Sequence, residues 1–130
     1  MIDGLRRVLE ADPRVAYALV FGSQARGTAH AHSDVDVAVG LEAGARLETL
    51  EVGAFIARLE SAAGRSVHLV MLNESPPGLS YRIVRDGLPI VVRDEPAFKA
   101  RVARAVLEYL DFRPGEELFA RGVLRADHGR

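Results

Sequence analysis

Hydrophobic residues along the chain alternate between a helical period and short strand-like runs, the pattern of an α/β domain. Ile2, Leu5, Val8 and Leu9 recur at helical spacing and Asp12-Pro13 ends the pattern, so residues 2–11 are predicted to be an amphipathic helix. Val15 to Phe21 (VAYALVF) is an unbroken apolar run of strand length, as expected of a strand buried on both faces, and Val35 to Val39 is a second strand. Helical spacing returns from Arg46 to Ala63 through Leu47, Leu50, Ala54 and Leu59, with Gly64 placed as a C-cap. Ser66 to Leu72 (SVHLVML) reads as a third strand and Asn73 to Pro77 as a turn. Leu79, Ile83 and Val84 mark a short helix ending near Gly87, and Leu88 to Val92 a fourth strand. From Glu95 onward Phe98, Val102, Val106, Tyr109 and Leu110 trace a last amphipathic helix, which Pro114-Gly115 is expected to break. The reading is one domain over residues 1–112 and a C-terminal tail over residues 113–130, with no internal repeat.

Composition narrows the chemistry. The chain has 130 residues, 48% of them hydrophobic and 27% charged, which suits one globular domain. A net charge of −1 supplies no global field toward nucleic acid or anionic lipid, so strong nucleic-acid binding is not expected and any polyanion must be met by a local site. No cysteine is present, which excludes disulfides, thiol nucleophiles and zinc-thiolate sites. The apolar runs are too short to span a bilayer and the N-terminus is not a signal peptide, so a cytoplasmic location is expected.

The candidate chemistry sits between the first two strands, in the stretch FGSQARGTAHAHSDVDV. Asp34 and Asp36 stand two residues apart, so a strand's period puts both carboxylates on one face. Like charges that close repel unless a cation lies between them, and Mg²⁺ commonly bridges one or two carboxylates to substrate phosphates. Gly22 allows a backbone to approach phosphate closely, the Ser23 hydroxyl and following N–H groups can donate to it, and Arg26 adds charge. Taken singly, Gly-Ser is most often an ordinary turn and Asp-Val-Asp a solvated strand edge. The G-x-x-x-x-G spacing also suggests a P-loop, but Thr28 stands where lysine is required.

Together, Gly22, Ser23, Arg26, Gly27, Ser33, Asp34 and Asp36 form a pattern that resembles the signature of the DNA polymerase beta-like nucleotidyltransferases, most closely the minimal nucleotidyltransferases of prokaryotes. The stretch LVMLNESPPGLSYRIVRDGLPIVVRD and the later YLDF extend the resemblance over residues 1–113. It implies a mixed β-sheet flanked by helices and a Gly-Ser turn gripping the phosphates of a nucleotide. It also implies transfer of AMP from ATP, with Mg²⁺ or Mn²⁺ on Asp34 and Asp36. Many minimal members are antitoxins that modify a tyrosine of a HEPN-type toxin, which makes such a toxin the expected partner, in a hetero-oligomer. Catalytic members carry a third carboxylate on the neighbouring strand, where this chain has His68 in Val67-His68-Leu69-Val70. Glu74 and Asp86, the nearest other acids, are expected to lie off that strand.

Three accounts of His68 follow: a base for the attacking hydroxyl, a ligand for a transition metal, or the mark of a site that binds nucleotide and transfers little. Two functions from different classes therefore stand, an adenylyltransferase acting on a partner and a binding module that neutralises the partner by masking it. A free-standing transferase on a small molecule is a third. The apolar tail residues Phe112, Leu118, Phe119, Val123 and Leu124 suit a partner surface or packing back onto the domain. His30, His32 and His128 carry no assigned role.

Overall fold

The computed structural model describes residues 1–27 and 33–127. The side chains of Arg26 and of residues 112–127 lie outside that description, and with them the tail's apolar set; so do His30, His32 and His128. In chain order the elements are α1 (Ile2–Ala11), β1 (Val15–Phe21), α2 (Ser23–Arg26), β2 (Val35–Leu41), α3 (Thr49–Ala63), β3 (Val67–Met71), α4 (Pro77–Asp86), β4 (Leu88–Val92) and α5 (Glu95–Asp127), with one 3-10 turn at Leu72–Glu74.

The unbroken apolar run of β1 becomes an inner strand of a four-stranded sheet ordered β3-β2-β1-β4. It pairs antiparallel with both β2 and β4, while β2 and β3 run parallel and are joined across one face by α3. One face carries Ala18 and Val20 of β1 with Val35, Val37 and Val39 of β2, and α1 and α3 cover it with Leu5, Leu9, Phe55 and Leu59. The other carries Tyr17, Leu19 and Ala38, covered by Ile83 of α4 and Phe98 of α5. A register shift between Val15 and Tyr17 turns Ala16 toward this second face together with Tyr17. Every residue of β1 up to Val20 is thereby buried, which explains its lack of polar alternation.

Four of the differences from the sequence reading have local reasons, while β3 is shorter by one residue at each end and α4 starts at Pro77. β2 runs on to Leu41 through Gly40, because a Cβ at that position would overlap the Tyr17 ring, so glycine is the residue that fits there. α3 begins at Thr49, where the Glu51 carboxylate accepts the Glu48 backbone N–H at 3.1 Å and holds the first turn, and Arg14 Nη1 donates to the same carboxylate at 2.6 Å. The short helix α2 has no signature in hydrophobic period, being one turn long. The backbone of α5 continues through Pro114 where a break was expected: proline removes one helical hydrogen bond, but good helix formers stand on both sides at Leu107–Leu110 and Glu116–Ala120.

Two arginines fix the frame around the second face. Arg93 Nη1 donates to the carbonyls of Asp12 at 2.9 Å and Val15 at 3.0 Å, tying the exit of β4 to the entry of β1. Arg101 of α5 is 4% exposed; its Nη2 donates to Leu72 O at 3.2 Å and Ser80 Oγ at 3.1 Å, and its Nη1 to Glu108 at 3.3 Å. That buried guanidinium locks α5 to α4 and to the turn after β3. No described helix is long and apolar enough to cross a membrane.

Two outcomes follow from this packing. Gly40→Ala is expected to destabilise the fold by about 1–3 kcal/mol through overpacking against Tyr17, read as a lower urea midpoint at unchanged slope. The second concerns Asp12, whose carboxylate receives Arg14 Nε at 3.0 Å and Nη2 at 2.9 Å. These hydrogen bonds hold the Asp12 carboxyl below its ordinary 3.8, against the opposing effect of burial. The ionised form is favoured in the fold, so its contribution is present above the unfolded value and is lost as pH falls through the lowered one. Between about pH 5 and about pH 2.5 the urea midpoint of the native chain should therefore fall further than that of Asp12→Asn.

Candidate functional site

The end of β1 and the start of β2 meet in antiparallel register, with Phe21 opposite Asp36. The next residue, Gly22, has φ 70° and ψ −143°, a conformation open to glycine and strained for any other residue. A Cβ there would also strike Asp36 Oδ2, so the bare backbone of the Gly-Ser turn lies directly against the carboxylate. α2 follows as a single turn from Ser23 to Arg26 and is closed by Gly27 in the left-handed region at φ 72°. The amide nitrogen of Gln24 is buried in this segment without a hydrogen-bond acceptor.

The parallel pairing of β2 and β3 sets Asp36 beside His68. Their side chains meet at 3.2 Å, His68 Nδ1 to Asp36 Oδ1. Asp36 is only 27% exposed, whereas His68 is 67% exposed and faces solvent at the sheet edge. An ionised carboxylate can only accept, so a neutral His68 donates from Nδ1 and is left with Nε2 as a basic, outward nitrogen. Asp34 shares the strand parity of Asp36 but lies exposed just before β2, next to the partly buried Ser33.

A cleft of about 440 Å³ opens over this end of the sheet. Gly22, Ser23 and Asp36 form one wall, and Leu79, Arg82, Ile83 and Asp86 of α4 form the other. The structure thus brings together three of the residues singled out from sequence and sets His68 against one of them. Among the described residues Ser33, Asp34 and Gly27 do not line the cleft, and the Arg26 side chain lies outside the description. Asp86 lies off β3, as expected, yet faces the same cleft as Asp36. Its carboxylate is paired with Arg85, at 2.9 Å from Nε and 2.8 Å from Nη2, which holds the Arg85 guanidinium still more firmly protonated.

The contribution of α4 was missed in sequence because nothing local links it to a turn sixty residues earlier. The available signal was the spacing of Leu79, Arg82, Ile83 and Asp86, which places two charges on the same helix face as a core isoleucine. A second cleft of about 400 Å³ lies at the opposite end of the sheet, between Leu41–Leu47 and Met71–Glu74. It contains none of the signature residues, so the candidate site is the cleft at Gly22 and Asp36.

Comparison with known proteins agrees with this geometry. No protein of curated function matches the chain in sequence. A chain of a toxin–antitoxin crystallised with AMP-PNP superposes with a TM-score of 0.82 at 21% identity, covering 95% of this chain and 98% of that one. A chain from the Shewanella oneidensis complex of a tri-AMPylated HEPN toxin with its MNT antitoxin gives 0.75 at 18% identity, covering 95% and 99%. A protein described as a candidate minimal nucleotidyltransferase is 32% identical over 65% of this chain and 87% of its own, with a TM-score of 0.55. The family description "Polymerase beta, Nucleotidyltransferase" matches residues 4–96, a span that runs from α1 through β4 and contains both walls of the cleft. The chain belongs to the polymerase beta nucleotidyltransferase family.

Proposed function

We propose that this chain is an antitoxin-type nucleotidyltransferase that transfers AMP from ATP to a hydroxyl, a tyrosine by preference, of a HEPN toxin partner and releases pyrophosphate. The observation that carries the reading is the placement of Asp36 against the bare backbone of Gly22-Ser23, with His68 bonded to its outer oxygen. The likeness to a toxin–antitoxin with AMP-PNP and to a complex containing a tri-AMPylated HEPN toxin supports the substrate and the partner. The apolar residues of the C-terminal tail, residues 113–130, support assigning that segment to the partner surface.

In this reaction the acceptor oxygen attacks the α-phosphorus of ATP, a new O–P bond forms, and the bond to pyrophosphate breaks. Gly22 and Ser23 offer backbone N–H groups and a hydroxyl to the phosphates at a place where no Cβ intrudes. Asp34 and Asp36 would hold the divalent cation. Mg²⁺ or Mn²⁺ held by two carboxylates would keep water and phosphate oxygens as its remaining ligands. When bound, the ion neutralises phosphate charge and polarises the phosphoryl oxygens. His68 Nε2 takes the hydroxyl proton, with Asp36 fixing its tautomer through Nδ1, so the imidazole serves in place of the third carboxylate that the family resemblance implies.

The His68–Asp36 contact also supports a second reading. A histidine bonded to the carboxylate competes with a cation for the same oxygens, and a site so altered would bind nucleotide and silence its partner by contact alone.

Transfer of label from α-labelled ATP to a HEPN protein separates the two. On the catalytic reading the native chain labels the partner, Asp34→Ala/Asp36→Ala labels nothing, and His68→Ala is slower by roughly 10²- to 10⁴-fold. Label that appears only after His68→Asp would establish the binding reading instead. Gly22→Ala is expected to weaken ATP binding sharply by displacing Asp36, at a cost of about 1–3 kcal/mol in stability from the strained backbone, measured by nucleotide titration and denaturation.

A further inference from the structure

Among the described residues, the signature residues that line the cleft bring no positive charge to it. A nucleoside triphosphate brings several negative charges into a cleft whose first wall contributes donors and one carboxylate, Asp36. Among the described lining residues, Arg82 is the one basic side chain. It stands in the second turn of α4, on the same face as Leu79, Ile83 and Asp86, and lines the same cleft as the Gly22-Ser23 turn.

The partners of neighbouring charges single Arg82 out. Arg85 is committed, with two bonds to Asp86 and its guanidinium over the Tyr81 ring at 5.4 Å from the centroid. Asp86 is compensated by that pair, so its carboxylate does not repel an entering anion at full strength. Arg101 is buried on Leu72 and Ser80. Arg82 is exposed, and among the described residues its guanidinium has neither an ion pair nor a hydrogen bond. A permanently charged, unpaired fork lining a cleft opposite backbone donors has the chemistry of a phosphate clamp.

We propose that Arg82 is a nucleotide-binding residue that grips the pyrophosphate portion of the triphosphate, opposite Gly22 and Ser23. The assignment rests on the nucleotidyltransferase reading and extends it, since it makes α4 the second wall of the nucleotide site. Arg82 would then hold the leaving group as well as the ground-state nucleotide, because the charge that develops on pyrophosphate stays within its reach.

The test is a set of affinities for ATP, AMP and inorganic pyrophosphate in the presence of Mg²⁺, measured by calorimetry on the full chain. Arg82→Ala should weaken ATP and pyrophosphate at least about tenfold and leave AMP unchanged, with Arg82→Lys between the two. Arg7→Ala on α1 makes the same change in net charge away from the cleft and should bind all three as the native chain does. Equal ATP affinity in Arg82→Ala and the native chain would overturn the proposal, as would an equal loss for ATP and AMP. Failure of the native chain to bind ATP at all would overturn the nucleotide reading itself, and the Arg82 assignment with it. Melting curves of the exposed Arg82 variants, expected to match the native one, separate lost binding from lost fold.

Discussion

Everything at the candidate site depends on the close approach of the Gly22 backbone to the Asp36 carboxylate. The antiparallel register of β1 and β2 puts Phe21 opposite Asp36, and the chain must then turn immediately above a charged side chain. Only a residue without a Cβ, in a backbone conformation that L side chains avoid, can do so. A register slip of one residue would turn Asp36 into the face filled by α1 and α3, where an unpaired carboxylate is costly. Valines at 35, 37 and 39, all buried on that face, hold the register, so the apolar half of β2 positions its acidic half.

The same sheet explains why the site is open where it is. α1 and α3 close one face completely, while α4 and α5 cover the other along Tyr17, Leu19 and Ala38 and leave the end at Asp36 as a cleft. The depth of that cleft is set by α4, and α4 is held by the buried Arg101 through Ser80 and by Ile83 packed beneath. Packing far from the chemistry therefore decides the spacing between the two walls. Asp36 has a further neighbour because β2 and β3 are parallel and in register, and His68 is the residue that this register delivers.

Much of this was legible in the sequence. The run VAYALVF announced an inner strand because full burial on both faces leaves no polar position, and the helix at residues 2–11 and the strand at residues 88–92 matched in full. Gly22, Ser23 and Asp36 were legible as a group because a strand-turn-strand unit keeps them close in sequence as well as in space. Gly40 was opaque: the second strand was read only to Val39, and the reason for a glycine next in the strand is the Tyr17 ring lying across it. The bond between His68 and Asp36 spans 32 positions and needed the strand order to become visible. The wall formed by α4 lay further off still, since side chains at 82 and 86 reach the turn at 22 only through the fold, and a helix periodicity assigns them a face without saying what that face meets.

The central claim is that nucleotide is held between the Gly22-Ser23 turn and α4, at the end of the sheet where Asp36 meets His68. Titration of Mg²⁺-ATP into isotopically labelled protein, followed by amide NMR shifts, tests it directly. The account predicts that the largest shifts fall at Gly22, Ser23, Asp36 and the last turns of α4, with the residues of the opposite cleft, Leu41–Leu47 and Met71–Glu74, unmoved. Shifts concentrated in that second cleft, with Gly22 and Asp36 unchanged, would contradict it.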